Sequence, residues 1–432
     1  MCARAQIDIF CASQPLLQGV IVDPDMSAAE VGIEPALATA REILFYMDPL
    51  AGEWLAPPHP FLLKEQGEPK AEWMRRGPAA LTRAWCILEL AKALALGRTL
   101  HVLLSPASSK QFEERMTRDR SAFADQDPGF TWVTHVLGCI DVKLAQITKE
   151  VDRSYILREV EKLEGGLGAV NANVMGALHL WLTSEAKALL AQMPEEERLA
   201  SALPINVGVM LTDVGQCEEG EKILRAQLTN LTNCRKMHGE SDPHPNMRVT
   251  LNYLAFNLFF QLRYEEAEPF FRDLLGDKSQ REALITEIGH PATYIGVSSF
   301  GAVLHEQGKL EDAEEFCVEA KEWASTQLGP EHVLTVAFVG NLVNLRRKQG
   351  RLDEAEEMLG SLVAVAREAL GPTHEWTLET EAVAARLKIA QSNGAAEGEA
   401  ELRDVVKRMK EFLGPTHRMT LKWSDTARRR CH

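Results

Sequence analysis

Over its C-terminal half the chain repeats itself. The string Leu328-Gly329-Pro330-Glu331-His332-Val333-Leu334-Thr335 returns as Leu370-Gly371-Pro372-Thr373-His374-Glu375-Trp376-Thr377, and again as Leu413-Gly414-Pro415-Thr416-His417-Arg418-Met419-Thr420. The three histidines are spaced 42 and then 43 residues apart; His290 stands 42 before His332, and His244 stands 46 before His290. A fixed period in this range implies a stacked solenoid, whose units bury their apolar faces only against their neighbours.

Each period reads as two helices. Phe300, Val303 and Leu304 recur at helical spacing and end at Gln307-Gly308, and a second helix opens at Leu310-Glu311-Asp312-Ala313-Glu314. The next unit has the same grammar: Leu342, Val343 and Leu345, then Gln349-Gly350, then Leu352-Asp353-Glu354-Ala355-Glu356. Glycine suits the left-handed residue that ends a helix. The acidic pairs suit the positive end of the helix dipole. Ala313 and Ala355 allow two helices to approach closely, and Gly-Pro stops the second helix. Worn copies at Arg263-Tyr264-Glu265-Glu266-Ala267-Glu268 and Gly215-Gln216-Cys217-Glu218-Glu219-Gly220 bring the count to about five units over 201–432. The last carries a loosened turn at Ser392-Asn393-Gly394. A short acidic linker is expected over 187–200, around Pro194-Glu195-Glu196-Glu197.

The Gly-x-Leu-x-x-Ala-Glu turn and the Leu-Gly-Pro-x-His-x-x-Thr connector resemble the tetratricopeptide superfamily, in the 42-residue variety of kinesin light chains. The resemblance implies an all-α right-handed superhelix whose first helices build a concave groove for extended peptides or partner helices. Amides on the first helices often clamp peptide backbone in that family, and the matching positions are Asn206, Tyr253, Ser299 and Asn341. Asn257 and Asn344 lie one turn further along, on the same helix faces as Tyr253 and Asn341. The expected peptide-binding set is therefore Asn206, Tyr253, Asn257, Asn341 and Asn344. Kinesin light chains also carry a long heptad coiled coil before their repeats; this chain has no such heptads, so a motor-subunit role is not expected.

Composition narrows the partners. A net charge of −15 argues against a nucleic-acid partner, which needs a basic face, and favours a basic or neutral protein segment. The basic run Arg428-Arg429-Arg430 reads as a solvated tail. The connector histidines would sit on the order of 10 Å apart on stacked helices. That is too far for one ion with ligand bonds of about 2 Å, so they read as structural and no metal is expected. No cofactor is expected either. The eight cysteines (2, 11, 86, 139, 217, 234, 317 and 431) include no Cys-x-x-Cys pair and read as single thiols of a reducing compartment. No signal peptide and no apolar stretch of membrane-spanning length is read, and the expected location is cytoplasmic.

Residues 1–186 have another grammar. Ile7-Asp8-Ile9-Phe10-Cys11 reads as a strand, Ile33 to Arg41 as a helix, and Ile43-Leu44-Phe45-Tyr46-Met47 as a buried strand. Trp54 to Gly77 reads as a loop, Leu81 to Leu96 as a helix, and Leu100 to Leu104 as the next strand. Alternating strands and helices point to an α/β layer with a parallel sheet. The run Arg83-Ala84-Trp85-Cys86-Ile87-Leu88-Glu89-Leu90 resembles the Trp-Cys-x-x-Glu-Leu helix of TIR domains, which implies a flavodoxin-like parallel sheet. Some TIR domains hydrolyse NAD, and the position matching their catalytic glutamate is Glu89. It would bind the nicotinamide ribose and stabilise an oxocarbenium-like centre. The structural alternative is a partly exposed helix glutamate, able to pair with Lys92 at i+3. Because Ile7 already resembles the second TIR strand, the domain is expected to be truncated at its start. No phosphate-binding Gly-x-x-x-x-Gly-Lys, His-Glu-x-x-His or Gly-x-Ser-x-Gly motif occurs. The expectation is a non-enzymatic scaffold binding protein or peptide partners; the alternative is a TIR-type NAD hydrolase with the repeats as sensor or oligomerisation module.

Overall fold

A computed structural model describes residues 42–47, 80–117, 137, 140–147, 149–164, 166–238, 245–276, 279–281, 291–370, 372, 374–391 and 395–429. The strand read at 7–11, the helix at 33–41, the loop at 54–77, His244, His290 and the turn at 392–394 lie outside these residues. The chain forms two compact units, residues 1–115 with 129–185, and residues 116–128 with 186–432.

In the first unit, strands β1 (Glu42–Tyr46) and β2 (Thr99–Leu103) pair in parallel, Glu42 opposite Thr99 and Tyr46 opposite Leu103. Parallel neighbours need a crossover, and helix α1 (Ala84–Ala95) lies in it. The sequence leads one to expect β1 buried throughout. Instead Ile43 and Phe45 are buried while Leu44 and Tyr46 are exposed, because successive side chains of a strand point to opposite faces. Helices α2 (Pro106–Thr117), α3 (Val151–Lys162) and α4 (Gly166–Gln192) follow. α1 is tied to α3 by a buried ion pair, Lys92 Nζ to Glu159 Oε2 at 2.7 Å, and by Trp85 Nε1 donating to Asp152 at 3.4 Å. Lys92, expected to pair with Glu89, reaches across to α3 instead of staying on its own helix face. Cys86 is disulfide-bonded, which corrects the reading of all cysteines as single thiols; Cys217, Cys234 and Cys317 form no disulfide.

The second unit is a helical stack. Residues 187–200, read as a linker, are largely helical: they finish α4 and form the short α5 (Glu195–Arg198). Lys187 pairs with Glu219 at 2.6 Å and Gln227 donates to the Arg198 carbonyl at 3.0 Å, so the segment is fastened to the first repeat. Five helix pairs follow. They are α6 (Leu203–Asp213) with α7 (Cys217–His238), α8 (Pro245–Phe260) with α9 (Tyr264–Leu275), and α10 (Pro291–Glu306) with α11 (Leu310–Gln327). Then come α12 (Val333–Lys348) with α13 (Leu352–Leu370), α14 (Glu375–Ala390) with α15 (Ala395–Phe412), and a single last helix, α16 (Arg418–Arg429). Among the described residues no helix is long and apolar enough to cross a membrane.

The repeated residues have visible work in this stack. Gly215, Gly308 and Gly350 take φ of 81°, 83° and 76° between the helices of a pair, and in the second pair Leu262 takes φ 60° there despite its Cβ. Ala267, Ala313 and Ala355 are fully buried between paired helices. The glutamate after this small residue bridges to the following unit. Glu221 takes Arg263 at 2.5 Å, Glu268 takes Lys309 at 2.5 Å, Glu314 takes Gln349 at 2.8 Å, and Glu356 takes Gln391 at 2.9 Å. The connector histidines cap helices. Nδ1 of His332, His374 and His417 accepts the backbone N–H of Leu334, Trp376 and Met419 at 3.2, 3.2 and 3.3 Å. This fills one of the donors a helix start leaves open. The connector threonines tie the same start backward, Thr377 Oγ1 donating to the Ala366 carbonyl and Thr420 Oγ1 to that of Met409.

The last helix returns to the first. Arg418 Nη1 lies 2.7 Å from Asp213 Oδ1 at the end of α6, and its guanidinium stands 5.0 Å over the Phe260 ring of α8. Lys422 Nζ stands 5.0 Å over Phe259. A Cβ on Gly215 would strike the Thr416 carbonyl oxygen of the connector leading into α16. The repeat array therefore closes on itself.

Candidate functional site

The first helices of the pairs are largely buried. Every residue of α6 is buried, as is nearly all of α10. The five expected peptide-binding residues lie on these helices but in different surroundings. Asn206 is 0% exposed and its Nδ2 donates to the Met116 carbonyl at 2.8 Å. Asn257, also 0% exposed, donates to Thr212 Oγ1 at 2.7 Å and the Cys217 carbonyl at 3.0 Å, and accepts from Gln261 Nε2 at 2.6 Å. Both amides are spent inside the protein. Tyr253, one turn from Asn257, is half-buried. Asn341 is half-buried and donates to Ser298 Oγ on the preceding first helix at 2.9 Å. Asn344 is 6% exposed, and its Oδ1 has no hydrogen-bond partner. Ser299, the third clamp position, is buried.

Around Asn344 the interior is polar and charged, which the sequence did not signal beyond the repeat offsets themselves. Arg386 stands 42 residues after Asn344, the same place in the next unit, and is likewise buried. Lys348, one turn along from Asn344, donates to the His305 carbonyl at 2.7 Å and to Glu306 Oε2 at 2.8 Å. Glu306 also lies 3.6 Å from His305 Nδ1 and 3.8 Å from Arg386. From α16, Lys422 pairs with Glu379 at 2.9 Å, and Trp423 Nε1 donates to the same carboxylate at 2.6 Å. Arg386 covers the Trp423 ring at 5.5 Å. Burial pushes the His305 imidazole down to about 3, Glu306 opposing and Lys348, Arg386 and Lys422 assisting, so the ring is neutral at neutral pH and gains charge only in the acid range where Glu306 titrates. Burial opposes ionisation of Glu306, but His305, Arg386 and Lys348 outweigh it and hold its carboxyl down at about 2. Lys348 is lowered, first by burial.

At the closing seam, burial pushes Asp213 up to about 6 against the pull of Arg418. Glu375 meets the same guanidinium at 3.0 Å; burial opposes its ionisation, but Arg418, His417 and His374 hold it at about 2. In the first unit, Glu89 is half-buried, and burial pushes its carboxyl up to about 7 against the nearby Arg83. Among the described residues no group of three His, Cys, Asp or Glu side chains could hold a metal ion.

This helix-pair geometry, with its capped starts and small residues between partners, has a counterpart among known sequences. Residues 339–375 match the tetratricopeptide repeat profile. The matched tetratricopeptide segment runs from the middle of α12 through α13 to the start of α14. Solved structures to which the chain is similar include the nearly identical TPR-like repeats of a kinesin-light-chain candidate from Podosopora anserina, 18% identical, covering 48% of this chain and 93% of that one at a TM-score of 0.36. BtubC (BKLC) from P. vanneervenii is 17% identical, over 55% of this chain and 91% of that one at a TM-score of 0.37. A Rap protein complexed with Competence and Sporulation Factor is 15% identical, over 83% of this chain and 98% of that one, also at 0.37. No curated protein matches the chain.

Proposed function

We propose that the chain is a scaffold that binds protein or peptide partners through the first helices of its tetratricopeptide array. The observation that carries this reading is the polar character of the inward helix faces. A purely structural interior would be apolar, since buried polar groups cost free energy unless paired. Here Asn341 and Asn344 sit on one face of α12, half-buried and buried, and Asn344 keeps an unused acceptor. An amide in that place can accept a backbone N–H of a bound segment, worth on the order of 1 kcal/mol per hydrogen bond. Tyr253 is the corresponding half-buried aromatic on α8. Asn206 and Asn257 would act behind the surface, Asn206 fixing α6 to the Met116 carbonyl and Asn257 holding α8 against α6. The first unit is read as a TIR-like α/β domain without enzymatic activity, and the protein as cytoplasmic.

The test is capture of partners from a lysate with the full chain, side by side with an Asn341→Ala/Asn344→Ala double variant of unchanged circular dichroism. Partners held by the wild-type chain and released by the double variant support the reading. Identical retention by both places binding on another surface.

A further inference from the structure

The charged cluster inside the array is unbalanced. Lys348, Arg386 and Lys422 all act on His305, while the carboxylates beside them are Glu306 and Glu379. Arg347 bears on Lys348 as a further like charge. The chain as a whole is strongly acidic, so this local excess of positive charge, buried at Arg386 and half-buried at Lys348 and Lys422, runs against its composition. Burying charge without compensation is costly.

Several polar atoms here are also unused. His305 is 2% exposed and neither ring nitrogen has a hydrogen-bond partner. Arg386 is 9% exposed and its Nε is unpartnered; Asn344 Oδ1 is unpartnered as well. Lys348 uses two of its three N–H groups on His305 and Glu306. These residues come from three successive first helices, α10, α12 and α14, and Glu306 lies within 4 Å of His305, Lys348 and Arg386.

We propose that this cluster is a binding site for a phosphate-type oxyanion, held by Lys348, Arg386 and His305. The open donors are the third Lys348 N–H, Arg386 Nε–H and the one N–H of neutral His305, and the open acceptor is Asn344 Oδ1. A carboxylate offers two acceptor oxygens in one plane and no donor. Monohydrogen phosphate accepts in several directions and donates one P–O–H, which suits Asn344. Charge-assisted hydrogen bonds to phosphate are among the strongest a protein makes. The site does not rest on partner binding by the array.

The experiment uses the full chain with inorganic phosphate as probe, read by calorimetric titration and thermal unfolding against chloride at matched ionic strength. A saturable heat and a rise in unfolding temperature specific to phosphate are expected, since a ligand of the folded state stabilises it. Arg386→Gln should weaken the dissociation constant at least tenfold. Glu306→Gln removes a competing carboxylate and should tighten it severalfold. Arg351→Gln, on an exposed ion pair with Glu354, should leave it unchanged. Phosphoserine serves as a second arm: binding matching that of phosphate identifies a phosphate monoester as the ligand, and rejection identifies the free ion. The proposal is overturned if phosphate acts no differently from chloride in the wild-type protein, a comparison that needs no variant. Malonate binding as tightly as phosphate overturns it too, as does an unchanged constant in a folded Arg386→Gln protein.

Discussion

Arg418 and Asp213 stand 205 positions apart in the chain and 2.7 Å apart in the fold. One opens the last helix and the other ends the first helix of the first repeat. Glu375 shares the guanidinium, and Phe260 lies beneath it.

Truncating Arg418 to alanine leaves Asp213 and Glu375 buried without their cation. Breaking a buried pair in this way costs about 3 kcal/mol. Arg418→Ala should lower the urea midpoint accordingly, and Arg418→Lys should recover part of the loss. A midpoint unchanged in Arg418→Ala would show that the seam adds nothing to stability.

Ala355 is fully buried where α12 meets α13. Ala355→Trp should destabilise the array by about 3 kcal/mol through overpacking. The same replacement at exposed Glu354 should have a far smaller effect. Denaturant unfolding of the two variants decides whether the small position is where the helix pair is tightest.

Asn344 buries an acceptor with no partner, at a cost that an apolar side chain of similar size would remove. Asn344→Leu should therefore raise the unfolding temperature while weakening partner capture. A variant that loses stability would show that the Asn344 amide is satisfied in solution.

Acid should weaken the array. His305 and His417 are pushed below their ordinary 6.5, to about 3 and about 4, so their contribution is full above 6.5 and is lost as pH falls toward those values. Glu306 and Glu375, held at about 2 against 4.5, contribute fully above 4.5 and lose that contribution as pH falls further. Asp213 runs the other way: raised to about 6, its contribution is full below 3.8 and lost as pH rises through 6. Between about pH 7 and about pH 4 the two histidines outweigh Asp213, so the urea midpoint should fall over that range, and the two glutamates extend the fall below pH 4.5. His305→Gln should flatten the first part of that fall.

For the first unit the expected outcome is no release of nicotinamide from NAD above that of a Glu89→Ala control. Burial holds the Glu89 carboxyl near 7, so much of it is protonated at neutral pH, whereas stabilising a developing cation needs the carboxylate. Turnover that vanishes in Glu89→Ala would make the first unit an enzyme.

What the repeats wrote into the chain was readable there: the turn glycines, the small residue at Ala313 and Ala355, and the structural use of the connector histidines. Each of these answers a local demand, such as a left-handed residue, a close approach or an open helix start, and local demands leave local signatures. Where the repeat wore away, the signature failed. Leu262 fills a glycine's place, and Gly398 stands for alanine in the fifth pair, where a Cβ would meet the Ala385 carbonyl oxygen at 2.7 Å. The helical character of 187–192 was hidden by its neighbour, an acidic run that looks like a linker until Lys187 and the Arg198 carbonyl find partners on α7. Asn206 and Asn257 show the same limit. An asparagine on a first helix reads alike whether it faces a ligand or a carbonyl of its own chain. The return of α16 to α6 had no signature at all, because it depends on the rotation accumulated over every intervening unit.

That return also changes how such a protein can vary. An open stack can gain or lose a unit at either end and keep every remaining interface, because its length is not specified anywhere. Here the pitch of five pairs delivers Arg418 to Asp213 and sets the Thr416 carbonyl against Gly215. One pair more, or one fewer, would carry α16 past its station. The repeat number is thus fixed by geometry, as the tooth count of a closed gear is, and duplication, the usual route by which repeat proteins diversify, is blocked unless the seam is abandoned first.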